Sequence, residues 1–181
     1  MSRYFNGRVI IFNEAETKYK AFGEFNCFWF KDIVDDGFMD DYKNNDIKRW
    51  NKTISKLYSI DLNPEKEDQK QINESLIKNA YILNETNIKQ LVEIYEDILK
   101  KKNEEIELLK ETMTNQQSIS SYQDMVCELR NLSDDFQEIN SKLFGIKCFE
   151  GMFGVLNYCY EDFEIKEYHE FIKPYLIITV M

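Results

Sequence analysis

Two stretches of this chain repeat apolar residues at steps that alternate between four and three. The first runs Ile88, Val92, Tyr95, Leu99, Lys102, Ile106, Leu109 and Met113, with Lys102 as its polar member. The second runs Met125, Leu129, Leu132, Phe136, Ile139 and Leu143. At 3.6 residues per turn this spacing draws one stripe along a helix, so each stretch predicts a helix with one buried seam. Polar residues 114–120 separate the two, a length that suits an antiparallel return. A helical hairpin over 86–144 follows, with Ser121-x-x-Asp124 as a capping-box-like start to its second arm and Gly145 as its stop. Leu91, Ile94, Ile98 and Leu108 widen the stripe of the first arm. A stripe that wide asks for a third partner: the rest of the protein, a helix of another protein, or a second copy of this chain.

Outside the hairpin the pattern changes period. Residues 8–12 are a short apolar run, and 18–30 hold Tyr19, Phe22, Phe25, Phe28, Trp29 and Phe30. With a turn at 13–16 and a bulge at Gly23, they predict a β meander of two or three strands over 1–31. Residues 32–46 form an acidic connector with Asp32, Asp35, Asp36, Asp40, Asp41 and Asp46. Asp46 is suited to cap a helix over 47–60 whose apolar face is Ile47, Trp50, Ile54, Leu57 and Tyr58. Asn63-Pro64-Glu65 predicts a second helix start, continued by Ile72, Leu76, Ala80 and Leu83. In the tail, Phe149 to Phe163 suits a helix, although 155–160 also reads as a strand, and Pro174 stops any helix. Residues 175–180 are β-branched and apolar and predict a terminal strand pairing with the N-terminal meander.

The expected fold is therefore α+β and mainly α. It is a long antiparallel helical hairpin or small bundle packed on a small sheet formed by the N- and C-terminal strands. One domain over 1–181 would comprise a β-rich start (1–31), the acidic connector (32–46), a helical region (47–145) and a mixed tail (146–181).

Composition narrows the function. A chain of 181 residues that is 43% apolar is long enough for a core without disulfides or metal, which excludes a wholly disordered or collagen-like chain. Twenty Ile, 16 Asn and 19 Lys stand against 3 Ala and 4 Arg, a bias typical of an AT-rich genome such as that of a low-GC bacterium, its phage or its plasmid. The formal charge of −10 disfavours whole-molecule attraction to nucleic acid or an anionic membrane and suits a partner with a positive surface, although solubility alone accounts for it too. No apolar run is long enough for a secretion signal or a membrane span, so a cytoplasmic location is expected. Cys27, Cys127, Cys148 and Cys159 form no C-x-x-C and are expected as free thiols, mostly buried.

Motifs for catalysis are sparse. The one histidine, His169, has no Gly-x-Ser-x-Gly elbow to serve, and neither G-x-G-x-x-G nor a P-loop occurs. Residues 32–43 fail the calcium-loop pattern at positions three and twelve, Val34 and Lys43. Glu164-x-Lys166 and Glu16-x-Lys18 match the E-x-K fragment of metal-dependent nucleases, a short and common fragment. No cofactor and no metal is implied.

Charge clusters carry more. Lys48, Arg49, Lys52 and Lys56 form a basic helix edge beside Trp50 and Tyr58, which predicts a nucleic-acid contact or a pairing with the acidic connector. Asp124, Glu128, Asp134, Asp135 and Glu138 form one acidic surface, and Glu161, Asp162, Glu164, Glu167 and Glu170 a second. Together these favour a non-enzymatic acidic inhibitor or adaptor, encoded by a phage or plasmid and blocking a basic host nucleic-acid-handling or defence protein, in the manner of an anti-CRISPR protein. The alternatives are a nucleic-acid-binding module on 47–60, a metal-dependent nuclease on Glu164 and Lys166, and a subunit that self-assembles through an open helical seam.

Overall fold

The computed structural model describes residues 4–26, 30–115, 118–162 and 171–180, with the backbone alone for 22–26, 152, 154–162 and 171–172. In chain order the elements are β1 (Phe5–Asn13), β2 (Tyr19–Asn26), α1 (Phe30–Asp35), α2 (Ile47–Leu57), α3 (Glu67–Lys78), β3 (Tyr81–Asn84), α4 (Glu85–Thr114), α5 (Ile119–Asp162) and β4 (Phe171–Val180). A 3-10 turn at Asp40–Tyr42 interrupts the acidic connector. The class is α+β and mainly α, as the apolar pattern predicts. The chain divides into two compact units, Met1–Ile88 with Glu150–Met181, and Lys89–Phe149.

The first unit is built on an antiparallel sheet of order β2-β1-β4-β3. The terminal strand does insert beside the N-terminal one, from Phe5 opposite Val180 to Asn13 opposite Phe171. Ile10 and Ile177 belong to one core cluster, yet the intervening Val9, Ile11, Leu176 and Ile178 are equally buried. Both faces of these two inner strands are therefore covered, which is why each reads in sequence as an unbroken apolar run and not as an alternation. Between Gly7 opposite Phe25 and Val9 opposite Phe22, β2 carries one extra residue, a bulge at the position of Gly23. Pro174 lies within β4, where it stops no helix. β3 pairs only with Tyr175 to Ile178, so at Pro174 the strand has already lost that neighbour, and a proline is tolerated.

Over one face lie α2 and α3. Asp46 caps α2 as expected, its Oδ1 accepting the Arg49 N–H at 3.1 Å. Trp50, Ile54 and Leu57 are buried with Ile10, Phe12, Ile77, Ala80 and Ile177, whereas Ile47 is 43% exposed and not part of the core face. Phe12, Trp50 and Tyr175 meet edge to face, with ring centroids 5.0–5.7 Å apart. Such pairs add about 0.5–1.5 kcal/mol each beyond burial.

The second helix and its continuation differ from the sequence expectation. α3 starts at Glu67 and not at Pro64, because the Asn63 N–H turns back to Asp61 Oδ1 at 2.9 Å and holds 61–63 in an Asx turn. The steps through Ala80 and Leu83 suggest one continuous helix, but α3 ends at Lys78 and Tyr81–Asn84 is a strand. The free edge of β4 offers these residues main-chain partners, and Tyr-Ile-Leu is a good strand sequence. The apolar face of α3 is also shifted from the expected one: Ile72 is 54% exposed while Ile77 is buried.

The second unit is the helical hairpin. Lys147 lies 2.6 Å from Glu96, and Lys102 lies 3.9 Å from Asp135 nearer the turn, which fixes the antiparallel sense. Every seam residue in this unit, from Val92 to Met113 and from Met125 to Leu143, is buried or half-buried. Leu108 is 65% exposed and does not widen the seam. The second arm begins at Ile119, ahead of the Ser121 start, and continues through Gly145 instead of stopping there. A glycine inside a helix costs about 1 kcal/mol, less than the neighbouring buried Leu143, Ile146 and Phe149 contribute by packing.

Two outcomes check this packing. Trp50→Ala should lower stability by about 3–5 kcal/mol in urea unfolding, since it empties the centre of the aromatic cluster. Lys102→Leu should raise it by about 1 kcal/mol, because it completes the apolar seam at the loss of a partly buried charge, 21% exposed.

Candidate functional site

Charge singles out three surfaces, and the structure treats them differently. On α2, Arg49 donates to Glu16 and, at 3.2 Å, to the Tyr175 hydroxyl, and its guanidinium lies 4.9 Å from the centre of the Trp50 ring. Glu16 reaches it from the β1–β2 turn, where it holds a left-handed φ of 55°. Asn13 Oδ1 braces that turn by accepting from the N–H groups of Thr17 and Lys18. Lys173 adds a second cation 3.5 Å from Glu16. Burial pulls the Arg49 pKa down, but the Glu16 carboxylate and the Tyr175 phenol outweigh it and leave it raised. Arg49 is thus committed within the fold. Glu16 and Tyr175 were not legible as its partners, since they lie 33 and 126 residues away.

The aromatic members of the basic edge are also committed. Trp50 is buried against Phe12 and Tyr175. The half-buried Tyr58 donates its hydroxyl to main-chain oxygens of the sheet, 2.8 Å from Ile177 O and 3.0 Å from Asn6 O. Lys56 sits 5.9 Å from the centre of the Tyr19 ring. Lys48 and Lys52 remain as exposed cations on this edge.

The first acidic surface lies on α5. Asp124, Glu128, Asp134, Asp135 and Glu138 are all exposed. At about 100° per residue they fall within roughly one third of the helix circumference and along roughly 21 Å of its length. Asp135 is 3.9 Å from Lys102, and Glu138 is 3.2 Å from the buried Lys142. Among the described residues, Asp124, Glu128 and Asp134 have no cation within ion-pair distance. Lys142 is the residue this site adds to those read from the sequence. It occupies the same side of α5 as the acids.

The second acidic run falls largely outside the described residues. Glu161 and Asp162 end α5, while Glu164, Glu167 and Glu170, with Lys166 and His169, lie outside the described residues. The other E-x-K fragment is resolved: Glu16 is held by Arg49 and Lys173. Among the described residues no group of three His, Cys, Asp or Glu side chains converges on a metal-sized site. Cys127 and Cys148 are exposed and not buried as expected, because both lie off the apolar seam of α5, and the side chains of Cys27 and Cys159 lie outside the described residues. Between α2 and α3 runs a cleft of about 800 Å³ lined in part by Ile47, Asn51, Lys70, Glu74 and Lys78, a mixed set with no nucleophile and base in hydrogen-bond reach. No helix among the described residues is long and apolar enough to cross a membrane.

Comparison with protein-family models, with curated proteins and with solved structures finds no match for this chain.

The two kinds of cation on α2 are separable by mutation. Arg49→Gln should cost about 0.5–1 kcal/mol of stability, as it removes a partly exposed ion pair and leaves Glu16 to Lys173 alone. Lys48→Gln and Lys52→Gln should each change stability by less than about 0.5 kcal/mol in the same urea titration.

Proposed function

We propose that this chain is a non-enzymatic, acidic protein-binding module, an inhibitor or adaptor that acts by covering a basic surface of its partner. The observation that carries this reading is the carboxylate row on α5, exposed and largely without internal cations. The row is borne by a helix of 44 residues, a rigid support that holds the charges at fixed spacing. Fixed, like-signed charges repel one another until a partner of opposite sign relieves them, so the interface should be electrostatically steered and salt-sensitive. A nucleic-acid-handling protein, whose groove is built to take phosphates, presents the complementary field. A block of that kind is what a phage or plasmid would direct at a host defence nuclease.

The test is affinity capture with the full chain as bait from a low-GC bacterial lysate, with and without nuclease. A stoichiometric protein partner should survive nuclease treatment and be released by 1 M salt, where the screening length falls from about 8 Å to about 3 Å. Charge reversal at D124K, E128K and D135K together should lower retention at least tenfold. A complex that survives 1 M salt unchanged would rule out charge as its basis. Signal lost with nuclease would move the function to Lys48 and Lys52.

A further inference from the structure

The hairpin covers its own seam unevenly. Val92, Tyr95, Leu143, Ile146 and Phe149 are buried. Toward the turn only Ile106 is fully buried, and Leu99, Leu109, Met113, Met125, Leu129, Leu132, Phe136 and Ile139 are all half-buried. Two helices enclose this part of the seam only in part; its half-buried side chains keep one flank toward water, and a third helix in the groove would close it.

The two flanks are not equivalent. The ion pair between Lys102 and Asp135 marks one side of the helix pair, and that between Glu96 and Lys147 marks the other. By helical phase, Ile98 and Leu109 of α4 and Leu132 and Ile139 of α5 lean toward the Lys102–Asp135 side. Glu128 and Asp135, the members of the carboxylate row nearest the seam by helical phase, border that same side on α5, and Glu105, 3.2 Å from Lys102, borders it on α4. The result is an apolar strip between acidic rims. Lys102 is already neutralised within it by Glu105 and Asp135.

We propose that this flank is the docking groove for a basic amphipathic helix of the partner, which packs as the third helix of a bundle. The proposal rests on the reading of the α5 row as a protein-binding surface, and it adds a shape and an apolar contact to what charge alone would give. The occupant follows from complementarity. Its apolar face must meet Ile98, Leu109, Leu132 and Ile139, and its edges must carry Lys or Arg to meet the acidic rims. A second copy of this chain does not fit: residues 104–138 carry nine acids against Lys110 and Arg130, so a copy laid in the groove would set acidic rim against acidic rim.

A synthetic peptide of about three heptads tests this, with Leu and Ile at the core positions and Lys or Arg elsewhere, labelled and titrated with the full chain. Saturable binding is expected, and a scrambled peptide of equal composition, without the apolar stripe, should bind at least tenfold more weakly. Leu109→Lys and the exposed pair E128K/D135K should each weaken the amphipathic peptide at least tenfold with helix content unchanged by circular dichroism. Should Leu109→Lys loosen the hairpin, the exposed pair still decides. Equal binding of both peptides overturns the groove and leaves the charge-based reading standing. Binding of neither overturns both. Pairing of the chain with itself by light scattering, together with failure of the peptide, overturns the proposal in favour of a second copy as occupant.

Discussion

The sheet cannot be completed until residues 171–180 are in place. β4 is an inner strand, bonded to β1 on one side and β3 on the other, so the first unit is made from both ends of the sequence. Phe5 meets Val180 across almost the whole chain. Closing so long a loop carries an entropic cost that rises slowly with length, and such pairings form late in folding. The stretch 89–149 is then an insertion between β3 and β4, and it has to be stable on local contacts. Its strictly alternating seam meets that demand.

The same constraint explains why the basic edge of α2 reads ambiguously in sequence. Its Trp and Arg lie between two strands that come from opposite ends of the chain. Phe12 and Glu16 arrive from the β1–β2 hairpin, and Tyr175 from β4. Once these are assembled, Trp50 is the hub of an aromatic cluster and Arg49 the cation that satisfies a turn carboxylate. Aromatic and basic residues at helical spacing are what a stacking surface for nucleic acid looks like, and equally what a core helix with an amphipathic arginine looks like. Only the long-range partners tell the two apart.

Legibility followed the range of the interaction that decides each element. The two seams, the Asp46 cap, the bulge at Gly23 and the apolar runs of β1 and β4 depend on residues within a few positions, and they could be read directly. β3 could not. Tyr81–Asn84 is a strand because β4 offers a free edge nearly a hundred residues later, and the local steps through Ala80 and Leu83 fit a helix equally well. Gly145, and the start of the last strand ahead of Pro174, were misread for the same reason. A proline at the margin of a pairing and a glycine inside a well-packed helix are tolerated by tertiary context that local rules do not contain. The α5 row was visible as composition, but its confinement to one side of the helix, shared with the buried Lys142, needed the helix phase and the ion pairs.

That confinement bears on the choice between solubility and recognition. Asp124 and Glu128, and Asp134 and Glu138, are spaced four apart on one helix, where like charges oppose helix formation by about 0.2–0.5 kcal/mol per pair. A chain that needed only a negative surface could spread the same carboxylates around the helix or set them four residues from its lysines, as Asp97 and Lys101 are set on α4, where a 2.8 Å contact holds the Asp97 carboxyl below its usual range. On α5 only Glu138 is set so, four residues from Lys142; among the described residues Asp124, Glu128 and Asp134 have no cation in reach, beside a seam that is half-buried toward the turn. Self-repulsion along one line and incomplete apolar cover beside it are both relieved by the same event, the arrival of a basic amphipathic surface. Solubility requires neither feature, and the two coincide on one flank of one helix pair.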